Sequence, residues 1–146
     1  MDALAIARAC ADAMWADDVA SRALGMELIA VEPGHAVLAM SVTEAMVNGH
    51  DLCHGGYIFM LADSAFAFAC NTYNQRTVAQ HCAITFVAAA RRGDRLVAQA
   101  TERMRAGRSG IYDVQVTANG VVIAEFRGHS RTIGGTWLPA ETDSKK

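Results

Sequence analysis

The sequence is low in charge, and its few charges nearly balance. Charged residues make up 19% of the 146 positions, and the formal net charge is −2, with a pI near 6.2. Proteins that bind nucleic acid or anionic membranes present a basic surface to the phosphates. This charge balance therefore argues against both kinds of partner.

Cysteines and long apolar runs are also scarce. The four cysteines are too few for a disulfide scaffold, and no secretory signal is recognisable before them. No apolar run reaches the roughly 18 residues that span a bilayer, and the longest, residues 55–70, contains Asp63. We therefore expect a cytoplasmic protein with reduced thiols and no membrane segment.

The sequence is rich in apolar residues, which make up 52% of it. In a chain of this length, that fraction favours one domain with a sizeable core. We predict a single domain over residues 1–146, with helices in residues 1–24 and a flexible tail at residues 139–146.

Hydrophobic periodicity divides the chain into the elements of an α+β fold. Helical spacing predicts helices over residues 3–16 and 17–25, and two strands follow that turn at Pro33-Gly34. Residues 55–73 are apolar on every face, which predicts a helix surrounded by other structure. Four more strands are predicted as a meander, with Asn119-Gly120 as a hairpin turn: residues 77–87, 94–105, 110–119 and 121–133. An antiparallel sheet curled around one long helix satisfies both patterns, and its free edges invite pairing with a second chain.

The segment NGHDLCHGGYIFMLADSAFAFACN, residues 48–71, joins a polar loop, a His-Gly-Gly triplet and a buried helix with one carboxylate. This segment and the order of the elements resemble the hot-dog-fold thioesterases, and most of all the phenylacetic acid degradation (PaaI) family of acyl-CoA thioesterases. The resemblance covers nearly the whole chain, including ALGMELIAVEPGHAVLAMSVT near the start and AEFRGHSRTIGG near the end. It implies the hot-dog fold, an active site at a homodimer interface, and assembly of the dimers into a homotetramer.

Gly55 and Gly56 stand at the predicted start of the buried helix. A helix N-terminus offers unpaired N–H groups and partial positive charge, and glycine lets a ligand approach the backbone closely. The Gly55 N–H could therefore polarise a thioester carbonyl and stabilise its oxyanion. The resemblance assigns this role to Gly55, and we add Gly56 as a substrate contact. The alternative is a flexible helix entry with no chemical role.

Asp63 is the only charged residue between His54 and Arg76. An unpaired buried carboxylate is costly or takes a raised pKa, and such groups are typical of active sites. Asp63 could attack the thioester as a nucleophile or deprotonate water as a general base. In the alternative it is structural, but its neighbour Ser64 would satisfy a buried charge poorly.

The spacing of Gly55 and Asp63 bears on how they work together. Eight residues span about 12 Å along a helix, whereas an attacking group must lie within about 3 to 3.5 Å of the carbon it attacks. One chain therefore places the two poorly for a single carbonyl. We expect Asp63 of one subunit to act with Gly55 of the partner subunit, as the resemblance also implies, at two equivalent sites per dimer.

The resemblance also points to polar residues on either side of the helix. Asn48 is expected to orient the thioester or the water; alternatively, it only stabilises a turn. His54 is expected to position the reacting groups; alternatively, its ring only fixes the loop. The strand after the helix offers Gln80 and His81 as substrate contacts, where relatives often carry serine. Strand alternation sends these two side chains to opposite faces, so only one can line the pocket.

We expect neither a metal site nor a thiol nucleophile. The histidines and cysteines show no C-x-x-C or H-E-x-x-H spacing, and Cys53 and Cys82 are typical of buried apolar positions. The forked donors of arginine suit the phosphates of CoA, although a single arginine is more often solvated surface. The CoA-binding candidates are Arg92, Arg108, Ser109 and Arg131.

The predicted function is hydrolysis of an aryl- or arylacetyl-CoA thioester to the free acid and CoA, with water as co-substrate and no cofactor. Phenylacetyl-CoA and its ring-hydroxylated forms are the leading substrates by resemblance. Two alternatives stay open: a hot-dog enoyl-CoA hydratase or dehydratase that uses a His54–Asp63 pair, and a non-catalytic acyl-CoA-binding module. The sequence does not decide the exact acyl group, whether Asp63 is nucleophile or base, or how two dimers associate.

Overall fold

A computed structural model gives the structure of the protein and describes residues 1–140. Two helices open the chain, α1 (Ala3–Asp17) and α2 (Val19–Ala23). Aspartates cap both, since the side chain of Asp2 accepts the N–H of Ala5 and that of Asp18 accepts the N–H of Ser21. Both helices lie within residues 1–24, where the sequence predicts helices. The predicted tail lies outside the described residues from position 141 onward.

The sheet consists of six strands: β1 (Glu27–Glu32), β2 (His35–Ser41), β3 (Thr77–Phe86), β4 (Arg95–Ala106), β5 (Ser109–Ala118) and β6 (Val121–Thr132). They are antiparallel and lie in the order β1-β2-β4-β5-β6-β3. Asn119 and Gly120 join β5 to β6 with positive φ angles of 51° and 79°, as a two-residue hairpin turn requires. A 3₁₀ turn (Glu44–Met46) leads into the long helix α3 (Gly55–Cys70).

One connection differs from the predicted meander. β3 pairs with β6 and not with β4, which instead pairs with β2. The connection over residues 87–94 passes the start of α3, where the Cys53 N–H donates to the Ala90 carbonyl at 2.8 Å, and reaches β2, where the Val42 N–H donates to the Asp94 carbonyl. This crossover makes β3 an edge strand beside the helix.

The sheet curls around α3, so the predicted hot-dog architecture is confirmed. Phe66 on the helix packs against Tyr112 and Phe126 of the sheet, with ring centroids 5.6 and 5.9 Å apart. The contact needs Gly128 on β6, because a Cβ there would lie 2.8 Å from the Phe66 ring.

The helix is nevertheless not covered on all sides in a single chain. Phe59, Met60, Asp63 and Ala67 are only half-buried and form a stripe on α3, and most residues of the neighbouring edge strand β3 are exposed. This open stripe carries the predicted acid. Within the described residues, no helix is both long enough and apolar enough to cross a membrane.

Candidate active site

The start of α3 is fixed by His54. Its backbone is extended, and its ring Nδ1 accepts the Gly56 N–H at 2.9 Å, which makes it the N-cap of the helix. The Gly56 N–H is therefore engaged, whereas the Gly55 N–H donates to no acceptor within residues 1–140. A free donor at the positive end of a helix is what an oxyanion needs.

The capping bond also sets which nitrogen of His54 can meet a ligand. Because Nδ1 accepts a hydrogen bond, a neutral ring carries its proton on Nε2. The side chain is exposed, so this Nε2–H is available as a donor beside Gly55. The loop-fixing role considered for His54 is present, and it uses only Nδ1, so Nε2 stays free to contact a ligand.

Asn48 organises the loop before the helix. Its side-chain oxygen accepts the backbone N–H groups of His50 and Leu52 at 2.9 and 3.2 Å. The turn chemistry considered for this residue therefore accounts for the oxygen. The amide nitrogen donates to no group in the described part of the chain. Asn48 therefore offers a further free donor, in addition to the Gly55 N–H and the His54 Nε2–H.

Asp63 lies in the middle of α3, on its half-buried stripe. Burial raises the pKa of its carboxyl above the ordinary value, because desolvation disfavours the charged form. Within residues 1–140 its carboxylate takes part in no hydrogen bond or ion pair. Ser64 does not satisfy it, since the Ser64 hydroxyl is paired with that of Ser21 at 2.8 Å.

A pH profile tests the ionisation of Asp63. As a nucleophile or base it must be charged, so kcat/KM is expected to rise with pH through the pKa of the free enzyme, which burial places above the ordinary aspartate value. The check is kcat/KM from about pH 4 upward on protein whose folding is verified at each pH. An acid limb at or below the ordinary aspartate pKa would contradict the assignment.

Two cysteines accompany the acid. The Asp63 charge adds to burial in raising the pKa of the Cys82 thiol, and burial raises the pKa of Cys70 to about 12. The pKa values of Cys10 and Cys53 are raised by burial as well. Thiols that stay protonated are poor nucleophiles, which supports the interpretation that no cysteine attacks the substrate.

The two candidates on β3, Gln80 and His81, both lie towards the outer face of the sheet, where Gln80 lines a cleft with Ile111 and His129. Cys82 pairs with Gly128, which faces the helix, so the preceding His81 points to the outer face, where its ring lies 5.4 Å from that of His129. His81 is thus on the opposite side of the sheet from Asp63. Gln80 is the extra residue of a β-bulge between Ala79 and His81, so regular alternation does not apply to it.

An apolar cleft of about 320 Å³ opens beside Asp63. Phe66 and Ala67 of the helix form one wall and Val78 and Ala79 of β3 another. The remaining lining residues come from α1, the end of α3, the start of β3 and the segment after β6: Met14, Cys70, Asn71, Arg76, Thr77, Ile133 and Trp137. A volume near 300 Å³ is at the lower end for ligand pockets.

The four CoA-binding candidates fall into two separate places. Arg92 forms ion pairs with Asp51 at 3.2 Å and Glu44 at 3.9 Å, beside the loop that leads to Gly55. The other three lie together around the β4–β5 hairpin, where Arg108 donates to the Thr132 carbonyl and Ser109 pairs with Arg131. One chain therefore does not gather them around a single phosphate.

The chain brings the predicted residues together in two groups. Asn48, His54 and Gly55 present donors at the start of α3, and Asp63 presents its carboxylate eight residues later, about 12 Å along the same helix. A carbonyl polarised by one group is out of reach of the other within one chain.

Comparison with known proteins identifies the family. The thioesterase superfamily model matches residues 50–124, just over half of the chain, and the matched range includes both Gly55 and Asp63. The acyl-coenzyme A thioesterase PaaI of Escherichia coli (strain K12) is 44% identical over 127 residues, which are 86% of this chain and 91% of that protein. The chain belongs to the thioesterase superfamily. The predicted resemblance is thereby confirmed.

Further relatives agree with this thioesterase assignment. The structure of the E. coli PaaI protein from the phenylacetic acid degradation operon matches with a TM-score of 0.91 and 41% identity, covering 92% of this chain and 99% of that one. A putative esterase of Deinococcus radiodurans is 43% identical over 108 residues, which are 72% of this chain and 73% of that protein.

The cleft beside Asp63 is also lined by three residues that the sequence does not predict: Asn71, Arg76 and Trp137. The indole Nε1–H of Trp137 donates to the Asn71 side chain at 2.8 Å, and the Arg76 guanidinium lies 4.1 Å from the indole centroid. Trp137 follows the last strand in a segment without periodicity, so no local pattern indicates it.

Proposed function

We propose that this thioesterase hydrolyses arylacetyl-CoA thioesters, such as phenylacetyl-CoA or its ring-hydroxylated forms, to the free acid and CoA. The observation that carries the proposal is the Asp63 carboxylate, which has no partner within residues 1–140 and lies on the wall of an apolar cleft. The 44% identity to acyl-coenzyme A thioesterase PaaI supports CoA as the leaving group. The four free cysteines suit the reducing cytoplasm, which we propose as the compartment.

The reaction proceeds at a site that two subunits share. The thioester oxygen accepts the Gly55 N–H of one subunit, and Asp63 of the other either attacks the carbonyl carbon or takes a proton from the attacking water. The C–S bond breaks and CoA leaves as the thiolate, which is then protonated. In the nucleophilic route this leaves an anhydride on Asp63, which a water molecule hydrolyses to the free acid and the restored carboxylate. Asn48 and His54 donate from beside Gly55 and hold the substrate in line.

The dimer is proposed from the shape of one chain. β3 is an edge strand, with Phe86 and Val78 49% and 44% exposed, and it lies beside the half-buried stripe of α3. Edge strands of this kind pair with another chain. Assembly of two dimers into a homotetramer is proposed from the family resemblance, and sedimentation of the purified protein checks both steps.

The proposed roles of the remaining candidates follow their positions. Arg92 is retained as the CoA contact, because it lies beside the loop that leads to Gly55. Gln80 lines a cleft with His129 on the outer face of the sheet and has no place beside Asp63 of its own chain. Gly56 acts through the cap that it forms with His54. His81 lies on the outer face of the sheet and therefore not beside Asp63 of its own chain. The same holds for the three residues around the β4–β5 hairpin, Arg108, Ser109 and Arg131.

Neither alternative function is favoured by the geometry. A hydratase would use a His54–Asp63 pair. The two lie nine residues apart on one helix, so this pair, like the Gly55–Asp63 pair, would form only between subunits, and the enoyl-CoA assay below separates the two functions. A binding module has no use for an unpaired carboxylate in an apolar cleft, because the charge is costly to desolvate.

A panel of CoA thioesters tests the proposal. We expect free thiol and free acid from phenylacetyl- and hydroxyphenylacetyl-CoA, at higher kcat/KM than from acetyl- or palmitoyl-CoA. Hydration of an enoyl-CoA without thiol release, or the absence of thiol release from every thioester, would overturn it. Single turnover in ¹⁸O water then separates the two roles of Asp63, since an anhydride route can place the label in its carboxylate.

A further inference from the structure

The apolar cleft has a direction relative to Asp63. β3 runs antiparallel to α3: Phe86 lies against Gly55, Cys82 near Asp63, and the Thr77 N–H bonds to Asn71. The lining residues run from Asp63 along α3 to its C-cap, Asn71. The cleft therefore starts at the acid and extends about 12 Å towards the C-terminal end of the helix.

Trp137 stands at the far end of this cleft and is held there firmly. Its indole donates to Asn71, its backbone N–H donates to the Asn74 side chain at 3.0 Å, and the Arg76 guanidinium stacks on it. The Arg76 backbone also exchanges hydrogen bonds with Ile133 and Gly135. The segment after β6 is thus folded back against the end of α3.

Asn71 leaves no polar group for a ligand at this end. Its side-chain nitrogen donates to the carbonyls of Ala67 and Thr77, and its oxygen accepts the Thr77 N–H and the Trp137 indole N–H. Four bonds satisfy the amide completely. The polar atoms of Asn71 are therefore turned into the protein, and the indole of Trp137 forms this end of the cleft together with the exposed Arg76 guanidinium, which stacks on it and donates to the Thr136 carbonyl.

We propose that Trp137 is a specificity-determining residue that closes the acyl pocket and limits the acyl group to the length of one arylacetyl unit. The inference rests on the proposed function, because the reacting carbonyl must lie at Asp63 for the acyl group to extend along the cleft. A ring in this position packs between Phe66 and Trp137, and aromatic contacts of this kind add to the burial of the ring. Longer acyl groups meet the indole.

The test compares acyl lengths in wall variants. Trp137→Ala is expected to lower kcat/KM for phenylacetyl-CoA, because the ring loses its contact with the indole, and to raise it for decanoyl-CoA, because the longer chain gains room. The ratio of the two kcat/KM values is expected to change by about 100-fold, the size of effect that several methylenes have in an apolar pocket. Trp137→Phe keeps a ring in the wall and is expected to change the ratio less than about 3-fold. Trp15→Phe is the matched control, because Trp15 packs on Phe68 and does not line the cleft.

The outcomes separate the two claims. If the wild type releases thiol from none of the thioesters, the proposed function fails. If the wild type is active but Trp137→Ala leaves the ratio unchanged, or lowers both rates by one factor, the wall inference fails. Should Trp137→Ala not fold, Trp137→Leu keeps apolar packing while removing the aromatic wall, and the same ratio decides.

A binding measurement checks the wall without turnover. The chain has two tryptophans, so in Trp15→Phe all tryptophan emission comes from Trp137. Phenylacetate, the expected product, should change this emission saturably, whereas acetate, which is too short to reach the wall, should not. Unchanged emission at phenylacetate concentrations that inhibit thiol release would contradict the proposal.

Discussion

Asp63→Asn is expected to lower kcat/KM for arylacetyl-CoA by about 10³, in the range that general base catalysis contributes. The amide keeps the shape of the side chain, but it neither attacks a carbonyl nor takes a proton from water. The measurement is thiol release by the purified variant. The matched control is Asp12→Asn, the same chemical change at an exposed position of α1, which is expected to keep wild-type activity.

For the same variant we also expect a defined effect on thermal stability. Burial raises the folded-state pKa of Asp63, so this group favours the folded protein below its unfolded pKa and loses that contribution as pH rises through the folded pKa. At neutral pH Asp63→Asn should therefore unfold at a temperature no lower than the wild type does. Retained turnover, or a large loss of thermal stability, would show that Asp63 is structural.

Gly55→Pro is expected to lower kcat by about 10² to 10³, the usual cost of one oxyanion donor. Proline removes the N–H and is well accepted at the first position of a helix. The preceding residue, His54, already has φ −61° and ψ 132°, the extended backbone that proline requires before it. The variant should therefore fold while lacking the donor.

Gly55→Ala is the control that isolates the donor. A Cβ at this position would lie 2.8 Å from the tip of the Phe86 ring, an exposed side chain that can move aside, and alanine and proline both add that Cβ. Alanine keeps the N–H, so it is expected to retain most of the activity. Equal losses in the two variants would assign the effect to Phe86 and remove the oxyanion role from Gly55.

The sequence predicts the local elements well because their signals are local. Helix caps such as Asp18, the Asn119-Gly120 turn and the alternation along the strands each depend on a few neighbouring residues. The pairing partner of β3 does not depend on neighbouring residues. It depends on where the connection over residues 87–94 leads the chain. A four-strand meander and the observed crossover have the same local pattern, and only the packing around α3 separates them.

The candidate site likewise combines residues that the local sequence indicates with residues that only tertiary contacts bring to it. Asp63 is visible as a lone charge in an apolar run, and Gly55 as a glycine at a helix start. Trp137 reaches the site through a hydrogen bond to Asn71, 66 positions earlier in the chain, and the bulge that displaces Gln80 depends on the register with β6. Both depend on tertiary contacts that residue spacing does not encode.

Mixing two inactive variants tests most directly whether each site is shared between subunits. When Gly55→Pro and Asp63→Asn chains are co-expressed in equal amounts, half of the dimers are mixed, and each mixed dimer has one site with both an intact Gly55 and an intact Asp63. We predict that activity returns to about a quarter of the wild-type value. If each chain carried its own complete site, no combination would be intact, and an inactive mixture that nevertheless contains mixed dimers would contradict the account.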